Sequence, residues 1–165
     1  MRMQHHSFVR LFLLLVIVWC LGFTVGPVVE NLVAGTQNTS VIYQGICHQD
    51  AARSFSWFGS QWSVCHRCSA IYLAFAIVAL AVVFRGRSSL ETLPRPWVIG
   101  ALLLPIVLDG TADFIGIRSA DLASRLVTGG LAGAVLAVVI IPILDDALHK
   151  LSAVNVSPSP GGHDA

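Results

Sequence analysis

The sequence predicts an all-α fold, an integral membrane four-helix bundle, and two observations support this class. Hydrophobic residues make up 55% of the chain and charged residues only 12%, a balance far from that of soluble domains. Four largely apolar stretches each come close to the roughly 20 residues that a helix needs to cross the hydrocarbon of a bilayer. Because lipid offers the backbone no hydrogen bonds, each stretch should be helical.

The predicted helices follow one another within a single transmembrane domain, residues 1–144. We expect them at about 9–33, 64–84, 97–116 and 123–144. The first apolar run is longer than that of a signal peptide and has no Ala-x-Ala cleavage site, so we interpret it as a retained anchor. Residues 145–165 are largely polar and contain a Ser-, Pro- and Gly-rich stretch at 157–162, a composition typical of a disordered tail.

The distribution of lysine and arginine predicts the orientation. With the N-terminus inside, six of these residues face the cytoplasm and four face outward. Arg85, Arg87 and Arg95 crowd one short loop, where the positive-inside rule has most weight. Both termini should therefore be cytoplasmic in a multi-pass protein of the plasma membrane, with the first connection extracytoplasmic. The net charge of +1 gives no reason to expect nucleic acid as a partner, so the expected partner is the lipid bilayer.

Three cysteines and a histidine cluster in the sequence around the start of the second helix. Cys65 and Cys68 form a Cys-x-x-Cys pair on its first turn, which puts two sulfurs on one face. Cys47 and His48 lie upstream in the loop and can fold back onto them. Three thiolates and one imidazole are a known tetrahedral zinc set. We therefore predict a site for Zn or another soft divalent metal at the outer membrane surface.

The same sulfur atoms fit two other uses, which the sequence leaves open. A thiol at a helix N-terminus beside Arg67 has a lowered pKa, as a membrane thiol–disulfide oxidoreductase using Cys65, Cys68 and Cys47 would need. In an oxidising compartment the same cysteines would also form a structural disulfide staple. Whether the protein is an enzyme stays open. Cys20, in the middle of the first helix, is interpreted as a packing residue.

Two acidic residues interrupt the third helix. Asp109 and Asp113 are four residues apart, so they share one face, and charges in a span usually face a partner or the bundle interior. Arg125 opens the fourth helix at the same end, and we predict that it pairs with Asp109. A cation path, a proton relay or an extra metal ligand is the alternative. Gly129 and Gly133 form a small-residue face, either for packing inside the chain or for a homo-oligomer.

Together these residues resemble a known family. Cys47-His48-Gln49, Cys65-His66-Arg67-Cys68, Asp109-Gly110 and Arg125-Leu126 are similar to the signature of domain of unknown function family 2085, a group of small prokaryotic membrane proteins. The resemblance covers about residues 40–145. It implies a multi-pass membrane protein, strengthens the cysteine site and brings no assigned activity. His66 stands where other members often carry a residue that does not bind metal, which favours His48 as the histidine ligand.

Overall fold

The computed structural model describes residues 2–33, 39–85, 94–117 and 121–154, and most of these residues are helical. The helices are α1 (Arg2–Thr24), α2 (Gly26–Val33), α3 (Thr39–Tyr43), α4 (His66–Arg85), α5 (Pro96–Ile115) and α6 (Leu122–Val154). A 3-10 turn (Ala51–Arg53) and two strands, β1 (Ser54–Trp57) and β2 (Ser60–Cys65), lie between α3 and α4.

The described helices include two or three candidate membrane spans. Pro96–Ile115 of α5 and Leu122–Ala147 of α6 are long and apolar enough to cross a bilayer. Leu11–Thr24 and Gly26–Val33 pass the same test together if the bent pair counts as one span. The apolar stretch His66–Val82 of α4 is shorter than a full span. The prediction of long apolar helices is therefore confirmed, whereas the number of four membrane spans stays a prediction.

The predicted first helix is broken in the structure. Its two parts, α1 and α2, meet at Val25 with a bend of 52°. Pro27 lies on the first turn of α2; it has no N–H to donate to the carbonyl of Phe23, and its ring would clash with that carbonyl in a continuous helix. Gly26 beside it weakens the helix further. A hydropathy window cannot register this break because both sides of it are apolar.

A β-hairpin in the long connection departs from the all-α prediction. Trp57 pairs with Ser60, so Phe58 and Gly59 form the turn, with φ of 49° and 74°. Two positive φ angles give a turn whose twist suits a hairpin. The alternation of Phe55 and Trp57 with serines, followed by a glycine, is the sequence signal for it. The Trp57 and Phe58 rings stack at the exposed tip, with their centroids 5.2 Å apart.

An aromatic core holds this connection against the helices. Phe23, completely buried near the end of α1, has ring neighbours at centroid distances of 6.1 Å (Tyr43), 6.0 Å (Trp62) and 5.8 Å (Tyr72). These three rings belong to α3, β2 and α4. Cys20 is buried in the same cluster, as expected for a packing residue. The core therefore sets the position from which β2 runs into α4.

Helix α6 packs against both α4 and α5, and two glycines let α4 approach it. A Cβ atom at Gly129 would lie 2.6 Å from the carbonyl oxygen of Arg67, and one at Gly133 would meet the carbonyl oxygen of Ile71. Real side chains cannot occupy such positions, so this contact requires glycine. The small-residue face is thus occupied by α4 within the chain, the first of the two uses that the sequence predicts.

The last helix is longer than predicted. It continues from the apolar part through residues 145–154, where the sequence predicts the start of a disordered tail. Asp146 and Lys150, four residues apart, form an ion pair of 2.7 Å on its surface, and pairs at this spacing stabilise helices. Polar composition alone therefore misplaced the end of the helix. Residues 155–165, the rest of the predicted tail, lie outside the described residues.

Candidate metal centre

The structure brings Cys47, Cys65 and Cys68 together. Their three sulfur atoms all lie within 4.8 Å of one another, and all three thiols are free. Cys65 is the last residue of β2, and Cys68 is on the first turn of α4. Because the strand runs directly into the helix, the Cys-x-x-Cys pair spans the junction, and both sulfurs face the same side.

Cys47 reaches this junction through the turn that follows α3. Its backbone N–H donates to the carbonyl of Tyr43 at 3.0 Å. Tyr43 is itself fixed, since its hydroxyl donates to the carbonyl of Trp19 on α1 at 3.1 Å and its ring is buried. The third sulfur is thereby held by contacts to α1 rather than by sequence proximity to the other two.

The surroundings of the sulfur group favour a thiolate at one of the three cysteines. The backbone N–H of Cys65 donates to Sγ of Cys47 at 3.1 Å, and the positive end of the α4 dipole lies at the same place. Hydrogen bonds from the Cys47 thiol, which has the larger effect, and from the Cys68 thiol hold the pKa of Cys65 far below its ordinary value. Thiolates are the form in which cysteine binds metals and attacks disulfides. The hydrogen bonds of the Cys68 thiol to Cys47 and Cys65 raise the pKa of Cys68 in turn, so the thiolate is favoured at Cys65.

The sulfur group lies between the core and the surface. Cys47 is buried, with 8% of its surface exposed, whereas Cys65 and Cys68 are partly exposed. A buried thiol is shielded from reagents, and a partly exposed one is accessible to ions and small molecules. One edge of the group can therefore be reached from outside the protein.

The structure does not bring the two neighbouring histidines into this group. His48, the predicted fourth ligand, is exposed and does not join the three sulfurs. The turn after α3 directs the Cys47 side chain inward, where it is buried, and leaves the next side chain, His48, at the surface. The ring of His66 packs edge-on against Phe55, with centroids 4.3 Å apart. Of the four predicted ligands, the structure gathers the three cysteines.

A charged cluster lies beside the sulfurs. Arg67, between Cys65 and Cys68 in the chain, donates from Nη2 to Oδ2 of Asp109 on α5 at 2.6 Å. Ser124 on α6 donates its hydroxyl hydrogen bond to the same carboxylate at 2.5 Å. The Thr128 hydroxyl lies 3.4 Å from the carboxylate and donates to the closer Ser124 carbonyl at 2.8 Å. Asp109 thus joins the starts of α4 and α6 to the end of α5, and its charge is offset by an arginine and a hydroxyl.

The predicted pairing of Asp109 with Arg125 is wrong. Arg125, with 7% of its surface exposed, donates instead to Asp113 at 3.4 Å. Arg53 at the base of the hairpin also contacts Asp113, at 3.2 Å. The reason is rotational: the glycine contact with α4 places the Arg67 side chain next to Asp109, and Arg125 is then closer to the carboxylate one turn later.

A cavity of about 360 Å³ borders Asp109 between α5 and α6. Its wall is half apolar and half polar, and the polar half consists of the carboxylate and two hydroxyl side chains; the lining residues are Pro105, Leu108, Asp109, Ala112, Ser124 and Thr128. Sequence reasoning missed Arg67, Ser124 and Thr128 as members of this cluster. The spacing of Ser124 and Thr128, four residues apart on one helix face, was the available signal.

Comparison with known proteins places these residues in a family. A family model described as "Predicted membrane protein (DUF2085)" matches residues 47–139, from the first cysteine of the group into α6. An uncharacterised protein of Methanocaldococcus jannaschii is 33% identical over 109 residues, which are 66% of this chain and 70% of the relative. An uncharacterised protein of Methanothermobacter thermautotrophicus is 36% identical over 99 residues, 58% of this chain and 85% of the relative. No solved structure matches significantly. The chain belongs to the DUF2085 family.

Proposed function

We propose that this member of the DUF2085 family binds one soft, zinc-like metal ion through Cys47, Cys65 and Cys68 at the outer surface of the cell membrane. The observation that carries the proposal is the convergence of three free sulfurs within 4.8 Å of one another. Sulfurs that bind one zinc ion each lie about 2.3 Å from it. Two such sulfurs can be no further apart than about twice that distance, so the observed grouping suits a single ion.

The chemistry of the donors supports a soft ion. Thiolates select zinc, Cu(I) and similar ions over the hard cations that prefer oxygen. Three thiolates accumulate negative charge, and here the N–H of Cys65 and the start of α4 partly offset that charge before any metal binds. A divalent ion offsets two of the three negative charges, so binding also stabilises the arrangement of the loop on the helix.

The proposed location follows from the positive-inside rule. Arg85 ends α4, and Arg87 and Arg95 follow before α5 begins; we assign this basic connection to the cytoplasm. The contacts of Arg67 with α5 and of Asp109 with α6 gather the other ends of these three helices. The sulfur group belongs to those ends and is then extracytoplasmic. Both termini are cytoplasmic in this proposal.

Metal analysis of detergent-purified protein tests the proposal. We expect about one zinc-like ion per chain, because one thiolate group holds one ion. Cys65→Ser and Cys68→Ser should each remove most of the metal, and Cys47→Ser should do so as well. Cys20→Ser is the matched control, since Cys20 is a buried cysteine of the same core that does not join the three grouped sulfurs, and it should keep the wild-type content. An unchanged metal content in the Cys65/Cys68 double variant contradicts the proposal.

The lowered pKa of Cys65 favours a second candidate function, thiol–disulfide exchange. The Cys65 thiolate would attack a disulfide of a partner protein, form a mixed disulfide and release one thiolate of the partner. A neighbouring cysteine would then attack the mixed disulfide, which reduces the partner fully and leaves a disulfide in this chain. Purified protein without metal, but with a reducible bond between two of the three cysteines, would favour this function over metal binding.

A further inference from the structure

The sulfur group offers an ion three donors, where a closed structural zinc site has four. Among the side chains that the structure describes, Cys47, Cys65 and Cys68 form the group without a further histidine, aspartate or glutamate. We infer that the bound ion keeps one coordination position for an exchangeable external ligand; this inference rests on the proposed metal site. The centre would then exchange its ion or bind a molecule at the metal, rather than serve only a structural role.

The positions of the histidines support this inference. His48 is exposed, and His66 packs against the Phe55 ring, a contact that keeps its imidazole in the hairpin. His5 and His6 are on the first turns of α1. Their backbone is about 20 Å along that helix from Cys20, at a rise of about 1.5 Å per residue. Neither His48 nor His66 is placed to complete the coordination without rearrangement.

The exposure of the sulfurs gives an external ligand a route. Cys47 closes the inner side of the group, because it is buried against the aromatic core. Cys65 and Cys68 are partly exposed and form the side toward the surface. An ion held by all three sulfurs would therefore have its remaining position on the accessible side. This is the arrangement of sites that bind water or substrate at the metal, with three protein ligands and one open position.

The nearby cations do not compete for that position. Arg67 follows Cys65 by two residues, but its guanidinium is turned to Asp109, and Arg125 is turned to Asp113. A divalent ion with three thiolates carries a net charge of −1, so a small neutral donor such as water or imidazole fits better than a second anion.

Cobalt(II) is the probe for this position, because it replaces zinc and its visible bands report the ligands. The full-length protein in detergent is loaded with cobalt(II) and titrated with imidazole. We expect the ligand-field bands to shift saturably while the sulfur-to-cobalt charge-transfer band persists, which shows a new ligand with the three sulfurs retained. The His48→Ala variant should give the same starting spectrum and the same response.

Two results overturn the inference and a third overturns its premise. A wild-type spectrum that does not respond to imidazole, with a response gained in His48→Ala, identifies His48 as a fourth ligand that closes the site. The absence of a response in both proteins means that another group closes it. If cobalt(II) produces no charge-transfer band at all in the wild type, the proposed metal site itself fails, and the two failures are thus distinguishable.

Discussion

Nη2 of Arg67 lies 2.6 Å from Oδ2 of Asp109, and this ion pair links the first turn of α4 to α5. The two side chains are only 20% and 12% exposed, so water screens their attraction weakly. Arg67 stands between the cysteines of the Cys-x-x-Cys pair. The ion pair therefore restrains the same helical turn that presents two of the three sulfurs.

The first prediction concerns this ion pair. Asp109→Asn removes the carboxylate charge and leaves the largely buried Arg67 guanidinium with only the longer contact to Asp113, at 3.9 Å. Removing the partner of a fully buried charge costs about 3 kcal/mol or more. We expect a loss of about 2–3 kcal/mol in the free energy of unfolding, measured on detergent-solubilised protein. Adding Arg67→Met should recover part of the loss, because coupled residues show interaction energies of about 0.5–3 kcal/mol.

A matched control for this cycle is available on α6. Asp146 and Lys150 form an ion pair of 2.7 Å, but their side chains are 63% and 75% exposed, and such pairs contribute little to stability. Asp146→Asn should change the free energy of unfolding by less than about 0.5 kcal/mol. If Asp109→Asn is equally mild and shows no coupling to Arg67, the ion pair is not structural, and Asp109 becomes a candidate for binding an ion or a proton beside its cavity.

The pairing of Asp109 shows where sequence reasoning reached its limit. Hydropathy fixes how long a helix is, and the predictions of 64–84 and 97–116 agree closely with His66–Arg85 and Pro96–Ile115. Hydropathy does not fix how a helix is rotated about its axis when all of its faces are apolar. That rotation is set by the close contact of Gly129 with the Arg67 backbone, a tertiary feature, and it decides which arginine meets which carboxylate.

The cysteine site was predictable in part for a related reason. Cys65 and Cys68 are three residues apart, and this spacing alone predicts that their sulfurs lie close together. The approach of Cys47 depends on Tyr43, its hydrogen bond to Trp19 and the hairpin, none of which has a strong periodic signal. The placement of His48 depends on the same turn: the backbone that directs Cys47 inward directs the next side chain outward, and a count of possible ligands cannot show this.

The second prediction tests the glycine contact between α4 and α6. Gly133→Ala places a methyl group against the carbonyl of Ile71, whereas a Cβ at Gly130 would meet nothing within 4 Å. We expect Gly133→Ala to lower the free energy of unfolding by about 1–3 kcal/mol, as overpacking does. Gly130→Ala should be neutral or stabilise by up to about 1 kcal/mol, because alanine favours helices over glycine. Equal effects of the two changes would contradict the close packing described above.

The third prediction concerns the hairpin turn. Gly59 has a φ of +74°, while Gly45, in the same connection, has ordinary backbone geometry and free space around it. Alanine at Gly59 must adopt a left-handed conformation, which costs about 1–2 kcal/mol. Gly45→Ala should be neutral or slightly stabilising, since it restricts the unfolded chain without strain. Amide hydrogen exchange in Ser54–Cys65 should increase in Gly59→Ala and stay unchanged in Gly45→Ala; the same exchange in both variants would contradict the turn geometry.

The fourth prediction determines on which side of the membrane the sulfur group lies. A membrane-impermeant thiol reagent, applied to intact cells after reduction and metal chelation, should label the Cys47→Ser/Cys68→Ser variant at Cys65, which is partly exposed. A variant that keeps only Cys20 should not react in intact cells and should react once the protein is denatured, because Cys20 is buried among α1 and α4 side chains. The reagent cannot cross the bilayer, so labelling in intact cells requires an extracytoplasmic Cys65. Labelling only after the membrane is permeabilised would reverse the orientation derived from the basic loop, and it would place the thiols in a reducing compartment where a disulfide staple does not persist.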